Sequence, residues 1–289
     1  MPKAGRKRRT DPPARPGLVF FSDIDGTILD YYSYSFEPAQ AAVRELKRRN
    51  VPLVLVSSKT SAEIRHIQKL LGLEAPFISE HGGAIFWPKS VIAECPRGAT
   101  ERNGCWVREL GTSYDKVRKH FIDYRLSAGV KLEGFGDWTP QQISREANMP
   151  LAAAMLAKKR EYDEPFLFNP RLSDSEIDRH VSAICSNGWN ILPGLRFFHL
   201  TGKADRSKAV RELVRWYQSV EPAKPHTIAF GDSPNDWAMM QECEIAVAVK
   251  RPDGKYHADL RAHKGIRLAG APGPEGFNRM ALRLMKQML

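Results

Sequence analysis

The stretch Phe20-Phe21-Ser22-Asp23-Ile24-Asp25-Gly26-Thr27 is the most informative part of this chain. The apolar run Leu18 to Phe21 is typical of a buried strand, and the Asp, Gly and Thr that follow indicate the loop where that strand ends. In open α/β sheets, ligands bind outside the carboxyl ends of the strands. Two carboxylates at such an end, with a sharp turn at Gly26, suit a hard cation and a phosphate. A solvated turn explains this short motif about equally well when it is taken alone.

Two further apolar runs end in polar residues of the same kind. His226 to Phe230 ends in Gly231-Asp232-Ser233-Pro234-Asn235-Asp236, and Val51 to Val56 ends in Ser57-Ser58-Lys59-Thr60. The second of these ends offers hydroxyls, backbone N–H groups and one cation. Three buried strands whose ends can bind phosphate favour one shared site over three unrelated turns.

Strands alternate with helical patterns in two blocks, residues 17–85 and 200–289, which predicts right-handed βαβ units and one parallel sheet built from both. Residues 86–199 mix strand-like and helix-like pieces, and we interpret them as an inserted α+β domain. A length of 289 residues agrees with two domains. We predict strands at 18–22, 51–56, 76–79, 131–135, 166–168, 190–192, 196–199, 226–230 and 245–249. We predict helices at 38–49, 61–71, 114–127, 173–185, 206–219 and 235–242.

The chain carries a net charge of +11, and six basic residues against one acid lie in residues 1–16. This polar, proline-containing tail is predicted to be disordered. It could contact nucleic acid electrostatically, but a solvated tail without a role is the favoured interpretation. The chain has no apolar stretch that could cross a bilayer and no signal-peptide pattern, so we expect a cytoplasmic protein. Its four cysteines lack metal-site spacing and are expected to be reduced thiols.

As a set, these motifs resemble the haloacid dehalogenase superfamily of phosphohydrolases. The resemblance is carried by Asp23 to Thr27, Ser57, a basic residue between 203 and 208, and Gly231-Asp232 with Asn235-Asp236. Four longer stretches resemble the mannosyl-3-phosphoglycerate phosphatase subfamily, which has a Cof-like, type IIB cap: they are residues 56–64, 76–85, 158–166 and 196–200. The resemblance implies an α/β fold, with a Rossmann-like, doubly wound parallel sheet and an inserted α+β cap domain.

The resemblance also implies roles for the residues at the strand ends. Asp23 would be the nucleophile that forms an aspartyl-phosphate, and Asp25 the general acid and then the general base. The alternation of an extended segment points residues 23 and 25 to the same side. Mg²⁺ would be bound by the side chains of Asp23 and Asp232 and by the backbone carbonyl of Asp25. Ser57 would donate to a phosphoryl oxygen, while Asn235 and Asp236 would orient ligands or water.

The chain departs from the subfamily at two positions. Arg206 stands where lysine is usual, so Arg206 is our first choice for the cation beside the nucleophile, with Lys203 or Lys208 as a shifted substitute. His81 stands where asparagine is frequent, and contact with the sugar or with solvent is about equally expected there. The further candidates for substrate binding are Lys59, Gly82, Gly83, Arg160, Glu161, Glu164, Lys203 and Lys208.

The leading hypothesis is a Mg²⁺-dependent phosphatase that converts mannosyl-3-phosphoglycerate to mannosylglycerate, a compatible solute. Within the same class, the alternative substrates are glucosyl-3-phosphoglycerate and sucrose phosphate. A mutase would share the aspartyl-phosphate but pass the phosphoryl group to a sugar. A nucleic-acid-associated protein acting through the basic tail is a minor alternative, and the expected partner is an anionic sugar-glycerate phosphate rather than a membrane. The sequence does not predict the oligomeric state.

Overall fold

The first part of the chain, up to Glu109, supplies six of the nine strands of a large sheet. The computed structural model describes residues 17–186, 188–194, 196–221 and 223–289, so the predicted disordered tail, residues 1–16, lies outside the described residues. Helix α2 begins where Thr60 and Glu63 form a reciprocal capping box, and it ends at Gly72 in the left-handed conformation. The elements are β1 (Leu18–Ser22), α1 (Gln40–Arg48), β2 (Leu53–Val56), α2 (Ser61–Leu71), β3 (Phe77–Ser79), β4 (Ala84–Pro88), β5 (Thr100–Arg102) and β6 (Cys105–Glu109).

The middle of the chain forms a second, smaller sheet with its own helices. Its four strands pair antiparallel in the order β7-β8-β10-β9. The aromatic side chains Phe121, Phe166 and Phe168 form part of a separate apolar cluster there. The elements are α3 (Tyr114–Ala128), β7 (Leu132–Gly134), α4 (Pro140–Ala147), α5 (Leu151–Ala157), β8 (Asp163–Phe168), α6 (Asp174–Cys185), β9 (Asn190–Pro193) and β10 (Phe198–Thr201).

The last third of the chain completes the large sheet. Its elements are α7 (Arg206–Val220), β11 (His226–Gly231), α8 (Trp237–Met240), β12 (Ile245–Lys250), α9 (Ala258–Ala262), β13 (Arg267–Pro272) and α10 (Gly273–Met288). The large sheet has nine strands in the order β13-β12-β11-β1-β2-β3-β4-β6-β5. The strands from β13 to β3 are parallel, and the remaining three pair antiparallel.

Helices cover both faces of the large sheet, so alternate residues of β1 pack into different cores. Leu18 and Phe20 belong to a cluster with α1, α2 and α10. Val19 and Phe21 belong to a cluster with α7, α8 and α9. A parallel sheet that is buried on both faces explains why its strands appear as continuous apolar runs. The predicted α/β class with a doubly wound parallel sheet is therefore confirmed.

The large sheet extends further along the chain than predicted. The boundary placed between residues 85 and 86 falls inside β4, and β5 and β6 also pair with the large sheet. The boundary between 199 and 200 falls inside β10. β5 and β6 contain charged residues and lack the apolar runs that identify the central strands, whereas β4 is apolar but lies across the predicted boundary. None of the helices in the described ranges could span a membrane.

Candidate active site

Three neighbouring strands deliver the polar residues of the site to one edge of the sheet. β1 lies between β11 and β2, and Asp23, Asp232 and Ser57 follow the carboxyl ends of these strands. The backbone N–H of Asp23 donates to the carbonyl oxygen of Phe230 at 3.0 Å, which extends the pairing of β1 and β11 to the loop. Parallel pairing therefore brings together carboxylates that are more than 200 positions apart in the sequence.

Asp23, Asp232 and Asp236 form a buried acidic cluster. Each offers a carboxylate oxygen, and these oxygens lie within 4.8 Å of one another. Burial, and next the charge of Asp236, raise the pKa of Asp23 well above its usual range. The same two causes raise the pKa of Asp232 to about 7. Crowded, buried carboxylates are the oxygen ligands that Mg²⁺ prefers, so this donor set fits a divalent cation.

Asp236 holds the loop after β11 in shape. Its Oδ2 accepts hydrogen bonds from the backbone N–H groups of Asp232 and Ser233, both at 3.0 Å, and from the Ser233 hydroxyl at 2.9 Å. Its Oδ1 lies 2.5 Å from Nη1 of Arg206. With both oxygens engaged, Asp236 is suited to position Asp232 and Arg206 rather than to bind a ligand directly.

Arg206 is the cation that the structure brings to Asp23. Its buried side chain stands at the start of α7, with Nη1 4.0 Å from Oδ1 of Asp23. Lys203 and Lys208 have exposed side chains and line neither cavity described below. The backbone N–H of Lys208 is instead part of the helix cap formed by Asp205. Of the three candidates, Arg206 is the one whose charged group lies within 4.0 Å of the Asp23 carboxylate.

Asp25 is held by Lys59, whose side chain is largely but not fully buried. Lys59 Nζ lies 2.9 Å from Oδ2 of Asp25 and 3.8 Å from Oε1 of Glu63. Burial alone would lower the pKa of Lys59, but these two carboxylates raise it above its usual value. The other oxygen of Asp25, Oδ1, is buried and has no hydrogen-bond partner among the described residues. One carboxyl oxygen of Asp25 is therefore ion-paired, and the other has no partner among the described protein groups.

Two adjoining cavities open at this edge of the sheet. The first, about 380 Å³, is lined by the acidic cluster and by Arg206. The second, about 180 Å³, is lined by Lys59, Arg160 and Arg196, together with apolar side chains such as Phe135 and Phe197. Four residues line both cavities and form what we call the junction: Asp25, Tyr31, Ser58 and His199.

Arg160 joins the two sheets beside the junction. Its guanidinium pairs closely with the carboxylate of Asp163 and donates to the backbone oxygen of Ser58 at 2.9 Å. His199 Nδ1 lies 2.8 Å from the same Asp163 carboxylate. Burial would raise the pKa of Asp163, but His199 and Arg160 lower it to about 2. Arg160 therefore lines the second cavity with its charge already paired.

His81, Asp163 and His199 also offer three possible metal ligands within 4.8 Å of one another. Burial and the neighbouring His199 lower the pKa of His81, so its ring is neutral. However, the Arg160 guanidinium lies against the Asp163 carboxylate, and a metal ion bound there would face that positive charge. We therefore interpret this group as an ion-paired cluster in which Asp163 orients His199 towards the junction.

Several predicted substrate contacts face protein groups instead. Glu161 accepts from the Ser61 hydroxyl at 2.7 Å and pairs with Arg102 at 2.9 Å. Glu164 is fully buried and pairs with Tyr114 and Arg118. Both glutamates hold the structure together, and neither lines either cavity. Both were predicted to bind substrate because they lie in a charged stretch of sequence. Such a stretch does not distinguish a residue that binds a ligand from one that pairs with another protein group.

The glycines of the loop after β3 also serve packing. A Cβ on Gly83 would lie 2.6 Å from Cβ of Tyr162, and a Cβ on Gly82 would lie 2.6 Å from the backbone nitrogen of Arg206. Asn235 donates to the carbonyl oxygen of Pro193 at 2.9 Å, which links the loop after β11 to the small sheet. Ser57 is buried, and its Oγ accepts from the N–H of Lys59 at 3.2 Å.

Some cavity-lining residues had not been identified as site residues from the sequence. Tyr31, Ser58, Arg196 and His199 line one or both cavities. Tyr31 belongs to a short aromatic segment directly after the Asp-rich motif, and that proximity was the available signal. Arg196 and His199 were visible only as part of a family-like stretch.

Known proteins are similar to this chain over most of its length. A family model for haloacid dehalogenase-like hydrolases matches residues 20–96 and 200–258. A glucosyl-3-phosphoglycerate/mannosyl-3-phosphoglycerate phosphatase from Methanococcoides burtonii is 37% identical over 269 residues, covering 92% of this chain and 97% of the relative. One of the same description from Persephonella marina is 34% identical over 272 residues, covering 94% and 98%.

Solved structures show the same fold at low sequence identity. A protein from Thermoplasma acidophilum superimposes with a TM-score of 0.67 at 16% identity, covering 94% of this chain and 99% of its own. A haloacid dehalogenase-like hydrolase from Bacteroides thetaiotaomicron gives a TM-score of 0.65 at 14% identity, covering 93% and 99%. At these identities the likeness concerns the fold alone.

Proposed function

Because the chain belongs to the haloacid dehalogenase-like hydrolase family and is a phosphoric monoester hydrolase, we propose that it hydrolyses a sugar-linked 3-phosphoglycerate. Mannosyl-3-phosphoglycerate is the first expected substrate and glucosyl-3-phosphoglycerate the second. The phosphatases of Methanococcoides burtonii and Persephonella marina carry both substrates in their description. The product would be a sugar glycerate, a compatible solute, together with inorganic phosphate.

One observation supports a sugar-linked glycerate as the class of substrate. Arg196 lines the second cavity, donates to the backbone oxygen of Ala147 at 2.7 Å, and forms no ion pair with an acid among the described residues. A cation without an acidic partner, beside the apolar walls of that cavity, suits a substrate with a carboxylate next to a sugar. Sucrose phosphate has no carboxylate, and for this reason the glycerate compounds are favoured over it.

The residues of the site divide the reaction between them. A carboxylate oxygen of Asp23 attacks phosphorus, and the bond to the leaving oxygen breaks while Asp25 gives that oxygen a proton. Asp25 then takes a proton from water, whose oxygen attacks the phosphorus of the aspartyl-phosphate and releases Asp23 and phosphate. Lys59 fixes Asp25 during both proton transfers. Arg206 offsets the charge that gathers between Asp23 and the phosphoryl oxygens.

The acidic cluster fits the magnesium ion expected for this reaction. Carboxylates of Asp23 and Asp232 and the backbone carbonyl of Asp25 would hold it. When bound, Mg²⁺ neutralises phosphoryl charge and lets a carboxylate approach a dianionic phosphate. When ionised, the three carboxylates of the acidic cluster face two guanidinium groups, those of Arg206 and Arg251, so a divalent cation would balance the remaining negative charge.

Steady-state phosphate release would test the function. We expect wild-type protein to hydrolyse mannosyl- or glucosyl-3-phosphoglycerate with Mg²⁺ and to lose this activity when Mg²⁺ is chelated. Asp23→Asn removes the nucleophile and is expected to lower kcat by at least about 10³-fold. Asp123→Asn makes the same chemical change on an exposed face of α3 and should leave kcat unchanged.

Two results would reject the proposal. Activity confined to sucrose phosphate or hexose phosphates would exclude the glycerate substrates. Recovery of the phosphoryl group on a sugar, instead of as inorganic phosphate, would indicate a mutase.

A further inference from the structure

The inference concerns Tyr31, and it rests on the proposed function. The phenol oxygen of Tyr31 is buried and has no hydrogen-bond partner among the described residues. Buried polar atoms in folded proteins are nearly always hydrogen-bonded, so an unpartnered hydroxyl requires an explanation. Tyr31 lines both cavities at the junction. Tyr31 therefore lies at the boundary of both cavities and carries a hydroxyl that no described protein group uses.

The other unpartnered hydroxyls do not share this position. Among the described residues, Thr27, Ser79, Thr201 and Tyr217 also have a buried hydroxyl without a partner. None of these four lines either of the two cavities. Tyr31 therefore combines an unused hydrogen-bonding group with access to the site, which the other four do not.

The ring of Tyr31 is fixed close to the acidic cluster. Gly26 has a φ of +79°, and a Cβ built on it would lie 3.4 Å from Cδ2 of Tyr31 and 2.8 Å from Oδ2 of Asp232. The tyrosine ring and the Asp232 carboxylate thus flank the same glycine. A tyrosine phenol is protonated at neutral pH, so the Tyr31 hydroxyl can donate a hydrogen bond.

The junction also locates the scissile bond. Asp25, which gives its proton to the leaving oxygen, is one of the four junction residues. The leaving oxygen must lie within hydrogen-bond reach of Asp25, with the phosphoryl group in the first cavity and the organic half in the second. We propose that Tyr31 is a substrate-binding residue whose hydroxyl donates to an oxygen of the glycerate half, next to the scissile bond. This contact selects substrates that carry an acceptor oxygen at that distance from the phosphate.

The test compares Tyr31→Phe with Tyr32→Phe on three phosphate monoesters. Tyr32 is the neighbouring residue, its side chain is 71% exposed, and it lines neither cavity. The substrates are mannosyl-3-phosphoglycerate, glucosyl-3-phosphoglycerate and p-nitrophenyl phosphate, which has no glycerate half. Tyr31→Phe should lower kcat/KM for the two glycerate esters about 10- to 100-fold, as expected for loss of a hydrogen bond to a charged acceptor. It should change kcat/KM for p-nitrophenyl phosphate less than about twofold, and Tyr32→Phe should match wild type on all three.

Each other result overturns the inference. An unchanged kcat/KM for the glycerate esters means that the hydroxyl makes no contact with substrate. An equal loss of kcat/KM on all three esters means that Tyr31 affects the phosphoryl group in the first cavity rather than the organic half of the substrate. If wild type hydrolyses neither glycerate ester, the proposed function fails instead. In that case the best substrate is first found in a wider panel of phosphate esters. The ratio of kcat/KM for Tyr31→Phe to kcat/KM for wild type is then compared between that substrate and p-nitrophenyl phosphate, and a selective loss on the former supports the role of Tyr31.

Discussion

At the scale of single residues, the sequence does not show which basic residue lies beside the nucleophile Asp23. Lys203, Arg206 and Lys208 lie within six positions, and any of them could start a helix exposed to solvent. The helix geometry decides among them, because only Arg206 faces Asp23 and Asp236. Arginine presents a planar fork of donors, so it can hold Asp236 while it interacts with a phosphoryl oxygen.

Replacement of these three residues separates their roles. Arg206→Ala should lower kcat about 10²- to 10³-fold, because it removes a preorganised positive group from the transition state. Lys203→Ala and Lys208→Ala should keep kcat within about twofold of wild type, since both side chains are exposed. The measurement is steady-state phosphate release at saturating substrate. A loss of comparable size in either lysine variant would contradict the assignment of Arg206.

At the scale of elements, the loop after β3 shows how a binding-type pattern can serve packing. Gly82 and Gly83 lie where α7 begins and where Tyr162 enters β8. The carboxylate of Glu80, in the same loop, accepts hydrogen bonds from the backbone N–H groups of Glu161 and Tyr162 at 2.8 to 3.1 Å. The loop therefore joins the large sheet to the segment that leads into the small sheet. Its glycines permit close approach of protein backbone and side chains rather than of a substrate.

A methyl group at Gly83 tests this packing. Gly83 has a φ of −61°, which any residue can adopt, so Gly83→Ala introduces a steric clash with Tyr162 without backbone strain. We expect a loss of about 1–3 kcal/mol in the free energy of unfolding, as for other overpacked sites. Gly17→Ala is the control, because its Cβ would lie 4.0 Å from Pro225, an ordinary contact. Equal urea midpoints for the two variants would exclude the proposed packing role.

At the scale of the whole molecule, buried charges link the two sheets. Arg160 precedes β8, and its guanidinium donates to the backbone oxygen of Ser58, which follows β2. Its Nε lies 3.6 Å from Oε2 of Glu80, which follows β3. Burial raises the pKa of Glu80 to about 8, although Arg160 acts in the opposite direction. In the unfolded chain this carboxyl has its ordinary pKa, near 4.5. The folded state therefore binds the proton of Glu80 more tightly than the unfolded state does.

This difference predicts how stability depends on pH. Between about pH 4.5 and 8, the unfolded chain has lost the Glu80 proton and the folded protein retains it. Glu80 then lowers the free energy of unfolding as pH rises, by at most about 1.4 kcal/mol per pH unit. Glu80→Gln should make this decline shallower in urea unfolding from pH 5 to 8. Glu101→Gln, on a half-exposed glutamate paired with Lys89, should follow the wild-type curve. Parallel curves for Glu80→Gln and wild type would refute the linkage.

The amino-acid sequence alone predicted five parallel strands of the large sheet (β1, β2, β3, β11 and β12) and placed Asp23, Ser57 and Asp232 at strand ends. These features follow from local patterns, because a run of apolar residues and the polar residue that ends it are adjacent in the chain. The antiparallel strands β4 to β6, the parallel edge strand β13 and the helices α4, α9 and α10 escaped prediction. β5 and β6 carry charged residues in place of an apolar run, so no local pattern identifies them.

Which groups face a cavity and which face one another depends on contacts between segments that are distant in the sequence. Glu161 and Glu164 belong to the same charged stretch as Arg160, yet they pair with other protein groups away from the cavities. Tyr31 was unremarked in the sequence but lies at the junction. The physical reason is that the partner of a buried charge or hydroxyl comes from a distant segment. The free energy of burying such a group depends on its hydrogen-bond or charge partner and on the depth of burial, and neither can be predicted from the neighbouring residues in the sequence.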